Sequence, residues 1–302
     1  MLGTATISYV FVGLDVSLES LLLYMILYKS PKNMKVFKVY LGLICIVSTC
    51  ISVITGFIWQ PVIVAPPVCI YSIGIFKNLL ENSVAFTIIS ALMVYYMQLL
   101  LMSYFFVYSR MDYRSKKELT RKQIFYIALI LFCPAVIVAS MCSYSTSSAS
   151  YVKSHTSISP DNYVHLACYF IGDFQADGIM NYYVAFLIVY IFVFNCIAFV
   201  LLLRIYQKLK NPPSFASKHT VILYKMFFTN VIAQNLVPVL FVGVPLIACL
   251  IYSALRNDDY VAVLMKIFYL SQTLHSSVSC ALIIWVTKPY KKYVISLFCR
   301  KQ

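Results

Sequence analysis

The chain has 302 residues, of which 62% are hydrophobic and only 11% are charged, whereas an ordinary soluble domain carries about 25% charged residues. This composition excludes a soluble globular protein, and the small numbers of Gly (8) and Pro (11) exclude collagen-like and low-complexity chains. The formal net charge of +14 does not indicate a nucleic-acid binder, because Lys and Arg occur in short clusters between long apolar runs. We therefore predict an integral membrane protein that does not bind nucleic acid.

Seven stretches of roughly 18 or more residues with few charges are each long enough to cross a hydrocarbon core about 30 Å thick. They lie at approximately 6–28, 39–63, 84–108, 124–142, 182–203, 226–252 and 264–287. The second stretch should end near Pro61 and be followed by a short irregular loop, because Pro61, Pro66 and Pro67 interrupt it. The sequence thus predicts an all-α, integral membrane bundle of seven transmembrane helices, forming a single domain over residues 1–302.

The basic residues predict the orientation of this bundle. Most of the 24 Lys and Arg residues lie in the connections after the first, third and fifth spans and in the tail, whereas the opposite connections hold Lys77, Lys153 and Arg256. Cytosolic loops are enriched in Lys and Arg, so we expect a cytosolic C-terminus and, with seven spans, an N-terminus outside. The longest connection, about 143–181, should then lie outside, above the bundle.

The tail at 288–302 has the pattern of a short amphipathic helix. Its apolar residues recur at helical spacing and form one stripe, made of Tyr290, Tyr293, Val294, Leu297 and Phe298. Such a helix suits the inner leaflet of the membrane. Cys299 lies beside basic residues and is a candidate for palmitoylation, with a free thiol as the alternative.

Two acidic residues lie inside a predicted span. Asp15 and Glu19 are four residues apart and share one helical face, and each would cost roughly 2.5 to 3.5 kcal/mol in the membrane if left unpaired. We therefore expect both to face the bundle interior, either as a structural polar contact or as a coupling-ion or proton site. In the seventh span, His275 is either a buried, hydrogen-bonded side chain or a ligand contact.

The sixth span combines amides with prolines. Asn230 and Gln234 share one face, and Pro238 follows one turn later. A proline inside a span removes a backbone hydrogen bond and permits a kink. Pro238 is therefore either a fixed bend stabilised by amide contacts between helices or a point at which the span pivots.

The sequence contains no familiar catalytic motif. HExxH, GxSxG, a P-loop and GxGxxG are all absent from the sequence. The ten cysteines and four histidines include no CxxC pair and no zinc-like spacing. We expect no enzyme, no metal site and no cofactor.

Four segments carry a resemblance that covers nearly the whole chain. They are YKSPKNMKVFKVYL, PVIVAPP, NLVPVLFVGVP and LHSSVSCALIIWVTKPYKKYV. In this order and spacing they resemble the nematode serpentine chemoreceptors of the Str superfamily, of the Srh type, with the Sri type as a close alternative. Two positions depart from the family pattern: Lys291 replaces arginine in the Pro-Tyr-Arg signature, and Tyr108-Ser109 precedes Arg110 where an acidic residue is usual.

The resemblance implies a G-protein-coupled receptor that detects a small environmental molecule and activates a heterotrimeric G protein. It implies the plasma membrane, in the cilium of a sensory neuron, as the location. The activation switch and G-protein face would comprise Arg110, Arg114, Pro238, Pro289, Tyr290 and Lys291. Anionic lipid is the alternative partner of the basic cluster around Arg110. A seven-span ion channel or transporter is the alternative function, although no internal repeat is visible.

The ligand is expected in a mostly apolar cavity with a few polar groups. Such a cavity should open among the outer halves of spans three, five, six and seven. The candidate lining residues are Phe86, Ser90, Tyr183, Phe186, Tyr269 and Gln272. Because aromatic residues are abundant in this chain, packing in the core or against lipid is the alternative for each.

A disulfide is expected on the outer face, which is an oxidising compartment. The predicted topology assigns Cys69 and Cys168 to this face. A bond between them would tie the outer end of span three to the long connection. Cys142 is a competing partner, and unpaired thiols are a further alternative.

Overall fold

The computed structural model describes residues 2–30, 35–64, 68–111, 121–143, 167–169, 178–212, 218–245, 247–248 and 258–299. Arg114 lies outside these ranges. The backbones of Arg110, Cys142 and Tyr269 lie in described helices, but their side chains are outside the description. The positions predicted for these four side chains therefore remain predictions.

Eight α-helices occur in the described part of the chain. They are α1 (Leu2–Tyr28), α2 (Lys35–Val53), α3 (Asn82–Arg110), α4 (Arg121–Ser143), α5 (Gly178–Lys210), α6 (Lys218–Pro238), α7 (Asp258–Val286) and α8 (Lys288–Cys299). Helix α2 continues as a π-helix, Ile54–Trp59, and α6 continues as a second π-helix, Val239–Gly243. Each of the seven predicted spans overlaps one of the helices α1 to α7, and α8 occupies the predicted tail helix.

Five of the described helices contain segments long and apolar enough to cross a membrane. These segments are Ser8–Tyr28, Lys38–Trp59, Asn82–Ser109, Asn181–Lys210 and Thr220–Gly243. Helices α4 and α7 contain the shorter apolar segments Phe132–Met141 and Leu270–Val286. Helix α5 exposes Val189, Phe192 and Phe199 by more than 60% each, as expected of a helix that is apolar around its whole circumference and faces lipid.

The connection after α2 differs from the irregular loop predicted there. Residues Pro61–Val64 (β1) pair antiparallel with Val68–Ser72 (β2), and β2 also pairs antiparallel with Ala167–Tyr169 (β3). The prediction was wrong because it gave the prolines more weight than the β-branched residues around them, which favour strands. Pro61 is compatible with a strand because it is the first residue of β1.

The helices surround two hydrophobic clusters. The larger cluster includes the fully buried side chains of Leu22, Tyr40, Leu99 and Tyr290, and thus joins α1, α2, α3 and α8. The smaller cluster lies beside the sheet and joins the end of the first π-helix to α3, α4 and α5. Three of the six predicted ligand residues, Phe86, Tyr183 and Phe186, belong to this smaller cluster or pack against it.

Candidate functional site

The sheet forms a cap over the smaller cluster and is closed by a disulfide. Cys69 of β2 and Cys168 of β3 are direct partners in the strand register and are bonded to each other. Both are buried. The structure thus has the pairing named from the sequence, and it ties the α2–α3 connection to the long connection before α5.

Close backbone packing joins this cap to the end of the first π-helix. Gln60 ends the helix with a left-handed backbone (φ 44°), which lets the chain turn directly into β1. A Cβ atom on Gly74 would lie 2.3 Å from the Ile58 carbonyl oxygen, so only glycine fits there. Trp59 Nε1 donates a 2.7 Å hydrogen bond to Asn82 Oδ1 at the start of α3. No sequence motif had indicated these contacts.

Four of the predicted ligand residues lie together beneath the cap. Tyr183 of α5 donates a 3.0 Å hydrogen bond to Ser90 of α3. The Tyr183 ring also packs edge-on against Phe86, with centroids 6.3 Å apart, and Phe186 stacks on Tyr190. We call Phe86, Ser90, Tyr183 and Phe186 the outer aromatic cluster; it presents one polar pair within apolar surroundings.

Gln272 lies on α7 and approaches α3 rather than α5. It is buried, and its Nε2 is 3.9 Å from the Met93 sulfur. Met93 packs against both hydrophobic clusters. Gln272 therefore connects to the outer aromatic cluster through Met93 and does not contact it directly in any described hydrogen bond.

The two intramembrane acids are fully buried and bonded to α7. Asp15 Oδ1 accepts a hydrogen bond from Ser277, and Glu19 Oε1 accepts one from Ser276. The Ser276 hydroxyl is also 2.8 Å from that of Ser48 on α2. As expected from their spacing, both acids face the bundle interior, where they join α1 to α7.

A small cavity of about 20 Å³ lies next to Glu19, among α1, α2, α3, α6 and α7. Its lining includes the polar residues Glu19, Ser48, Tyr96, Gln234, Ser276 and Ser279, and the cysteines Cys45 and Cys280. This position differs from the predicted cavity between the outer halves of spans three, five, six and seven. A volume of this size accommodates a water or an ion, whereas ligand pockets for small organic molecules measure about 300 Å³ or more.

His275 is packed inside the bundle. It is buried, its Nδ1 lies 2.5 Å from the Gln272 carbonyl oxygen, and its ring meets Tyr96 edge-on at 6.3 Å. Since a carbonyl oxygen only accepts, Nδ1 carries the proton in this contact. Of the two interpretations drawn from the sequence, this geometry fits the buried, hydrogen-bonded side chain.

The α7–α8 junction is held to the C-terminal end of α1 and to the middle of α6. The Tyr290 hydroxyl lies 2.6 Å from the Ser30 hydroxyl, and Asn230 donates a 2.9 Å hydrogen bond to Thr287. Burial raises the pKa of Tyr290, which therefore stays protonated at neutral pH.

The other two residues of the Pro-Tyr-Lys segment lie at the same junction. Pro289 is half-buried. Lys291 places its Nζ 3.7 Å from the centroid of the exposed Trp285 ring, within the range of a cation–π contact. Further along α8, Cys299 is exposed with a free thiol, so it is sterically open to modification.

Comparison of the sequence with protein-family models gives a match over nearly the whole chain. Residues 2–300 match the family model described as "Serpentine type 7TM GPCR chemoreceptor Srh". No curated protein matches the chain significantly. The family match agrees with the resemblance seen in the sequence and selects the Srh type. Because the match extends over nearly the whole chain, this protein belongs to the Srh family of serpentine seven-transmembrane chemoreceptors.

Proposed function

We propose that this receptor detects a small environmental molecule near its outer face and activates a heterotrimeric G protein at its inner face. The observation that carries the proposal is the family match over residues 2–300. The receptor would act in the plasma membrane, in the cilium of a sensory neuron. The distribution of Lys and Arg supports seven spans with the N-terminus outside and the C-terminus in the cytosol.

The outer aromatic cluster is the proposed ligand site. The Tyr183–Ser90 hydrogen bond is buried among apolar side chains, so a ligand with one polar group could exchange into it while the aromatic rings contact its apolar part. Gln272 and Tyr269 of α7 would complete the site on its other side. In the described structure the side chains of the outer aromatic cluster are packed, so binding requires α3 and α5 to separate locally.

Helix α6 is the proposed route from ligand to G protein. Pro238 interrupts its hydrogen bonding where the α-helix changes to a π-helix. Two bends at this point would give α6 two positions, and a ligand shifts them only by binding one more tightly. At the inner end, Arg110 and Arg114 would meet the G protein beside Pro289, Tyr290 and Lys291.

The test is a G-protein reporter in cells that express the receptor, screened with volatile and water-soluble compounds. For any agonist found, Arg110→Ala should abolish the response while surface expression persists. Lys210→Ala is the control, since it removes another basic residue at the inner end of a helix. An agonist-induced current in cells lacking G proteins, with no reporter response, would favour the channel instead.

Topology is tested separately by engineered glycosylation sites. A site in the N-terminus and one in residues 143–181 should be modified, because both segments are expected outside. A site in residues 211–218 should remain unmodified. Modification at the last site alone would reverse the proposed orientation.

A further inference from the structure

The cavity beside Glu19 contains several polar atoms that have no hydrogen-bond partner among the described residues. They are Glu19 Oε2, Ser279 Oγ and both side-chain atoms of Gln234. Glu19 and Gln234 are each 1% exposed and Ser279 is 7% exposed. Buried polar groups are normally satisfied, so three helices direct unsatisfied polar groups at one small space.

The charge of this region also lacks compensation. Neither Asp15 nor Glu19 has a Lys or Arg partner in the described part of the chain; their hydrogen bonds come from serines. An ionised carboxylate inside a membrane is costly unless it is paired. Either a proton or a bound cation must therefore neutralise Glu19.

The lining atoms favour a hard, singly charged cation. The unsatisfied oxygens of Glu19, Gln234 and Ser279 suit alkali and alkaline-earth ions. Cys45 and Cys280 also line the cavity, but a thiol must lose its proton to bind a soft metal, and the Cys45 thiol donates to the Glu19 carbonyl oxygen. The described residues contain no group of three or more His, Cys, Asp or Glu side chains placed to hold a metal ion, so the site lacks the several carboxylates typical of a divalent ion. The volume of about 20 Å³ admits one particle of the size of water.

We propose that this cavity binds one monovalent cation of the size of Na⁺, through Glu19 Oε2, Gln234 Oε1 and Ser279 Oγ. The hydroxyls of Ser48 and Ser276 line the same space and hold Glu19 in place. The proposal requires only the cavity and is independent of the proposed receptor function.

A cation at this position would add a further link among three helices that are already joined by the Ser276–Glu19 and Asn230–Thr287 hydrogen bonds. Glu19 belongs to α1, Gln234 to α6 and Ser279 to α7. Gln234 lies one turn before Pro238, where α6 changes to its π-helix. The bound cation therefore holds α6 against α1 and α7 at the turn that precedes its bend, and it stabilises the conformation described here.

The experiment measures thermal unfolding of the purified full chain in detergent, with NaCl replaced by choline chloride at constant ionic strength. Between about 1 and 100 mM Na⁺ the melting temperature should rise by about 3 °C and then level off, as expected for a ligand that binds only the folded state. An identical melting temperature in both salts would overturn the proposal. So would stabilisation by acid that is equal in NaCl and in choline chloride at every pH, because protons and not Na⁺ would then neutralise the carboxyl groups.

Single substitutions test which residues produce the Na⁺-dependent rise in melting temperature. Glu19→Gln keeps the shape of the side chain, removes its charge and should abolish the Na⁺-dependent shift. Ser279→Ala should raise the Na⁺ concentration for half the shift about tenfold, as expected for the loss of one ligand worth about 1.4 kcal/mol. Ser103→Ala is the matched control, because Ser103 is also buried but bonds to its own helix at Leu100 and does not line the cavity.

Each result decides the assignment. A full Na⁺ shift in Glu19→Gln would overturn it, and so would equal effects of Ser279→Ala and Ser103→Ala. If Glu19→Gln does not fold, the test uses Ser279→Ala and Gln234→Leu instead. An unchanged Na⁺ dependence of the melting temperature in both variants would overturn the assignment of the cation site.

Discussion

The two ends of the helical bundle are held together by different kinds of bond. At the end that holds the sheet, the disulfide and the β2–β3 pairing join segments almost a hundred residues apart, and the Trp59–Asn82 hydrogen bond joins the first π-helix to α3. At the end that holds α8, Tyr290 is buried in the larger hydrophobic cluster, and the polar contacts are single side-chain hydrogen bonds, such as Tyr290 to Ser30 and Asn230 to Thr287. The disulfide is a covalent bond that cannot exchange partners, whereas each hydrogen bond at the other end can be replaced by another.

The largest expected effect comes from breaking the disulfide. The bond closes a loop of 99 residues, and loss of such a cross-link costs about 2 to 5 kcal/mol of stability. Cys69→Ser and Cys168→Ser should each lower the thermal unfolding temperature, and the double variant should lower it no further.

The control for this prediction is Cys50→Ser, because Cys50 is free and exposed. It should leave the free energy of unfolding within about 0.5 kcal/mol of the wild-type value. Peptide mapping without reductant should recover Cys69 and Cys168 joined. Recovery of Cys168 bonded to Cys142 would contradict the described cap.

A smaller effect is expected at the outer aromatic cluster. Tyr183→Ala removes both the aromatic contact with Phe86 and the hydrogen bond to Ser90, and should move the dose-response curve of an identified agonist to about tenfold higher concentration. Gln272→Ala should move it in the same direction. Surface expression, measured by antibody labelling, should persist in both.

Tyr183→Phe separates the ring from the hydroxyl, because it keeps the aromatic contact and loses only the hydrogen bond. A shift as large as that of Tyr183→Ala would assign the effect to the polar pair. If neither Tyr183→Ala nor Gln272→Ala moves the curve, the ligand binds elsewhere in the receptor.

The smallest expected effect is at the inner end. Tyr290→Phe removes the hydroxyl that contacts Ser30 but keeps the buried ring, and should cost about 1 kcal/mol. Ser30→Ala should cost a similar amount. In a double-mutant cycle the two losses should not add, because they break the same bond; full additivity would contradict the contact.

The stability that Tyr290 contributes should depend on pH. Burial raises its pKa in the folded state above the ordinary tyrosine value of about 10. The stability that depends on protonated Tyr290 is therefore fully present below about pH 10 and is lost as the pH rises through the folded-state pKa of Tyr290. Wild type should therefore be more stable than Tyr290→Phe in thermal unfolding at neutral pH, and this advantage should shrink as the pH rises above about 10.

Much of the secondary structure could be read from the sequence because a membrane imposes a simple requirement. A span needs about 20 mostly apolar residues, so the runs around residues 6–28 and 182–203 predict α1 and α5 without knowledge of their neighbours. Helical periodicity likewise placed Asp15 and Glu19 on one face, and both prove to be buried. These properties depend on local composition and spacing alone.

Pairings between distant segments could not be read in this way. β3 has three residues and pairs with β2 almost a hundred residues earlier, and so short a strand has no signal of its own in the sequence. The cap exists because the two connections meet above the bundle, where β2 offers a free edge. The disulfide was predictable only as one pairing among several.

The sequence by itself determined that this chain is a membrane protein, where most of its helices lie and which family it resembles, because hydrophobic length, charge and motif order are local properties. The tertiary structure alone decided which faces of those helices meet. Glu19, Gln234 and Ser279 come from three helices separated by long stretches of chain, yet they line one cavity. The rotation of each helix about its axis is set by packing against its neighbours, and no single segment contains that information.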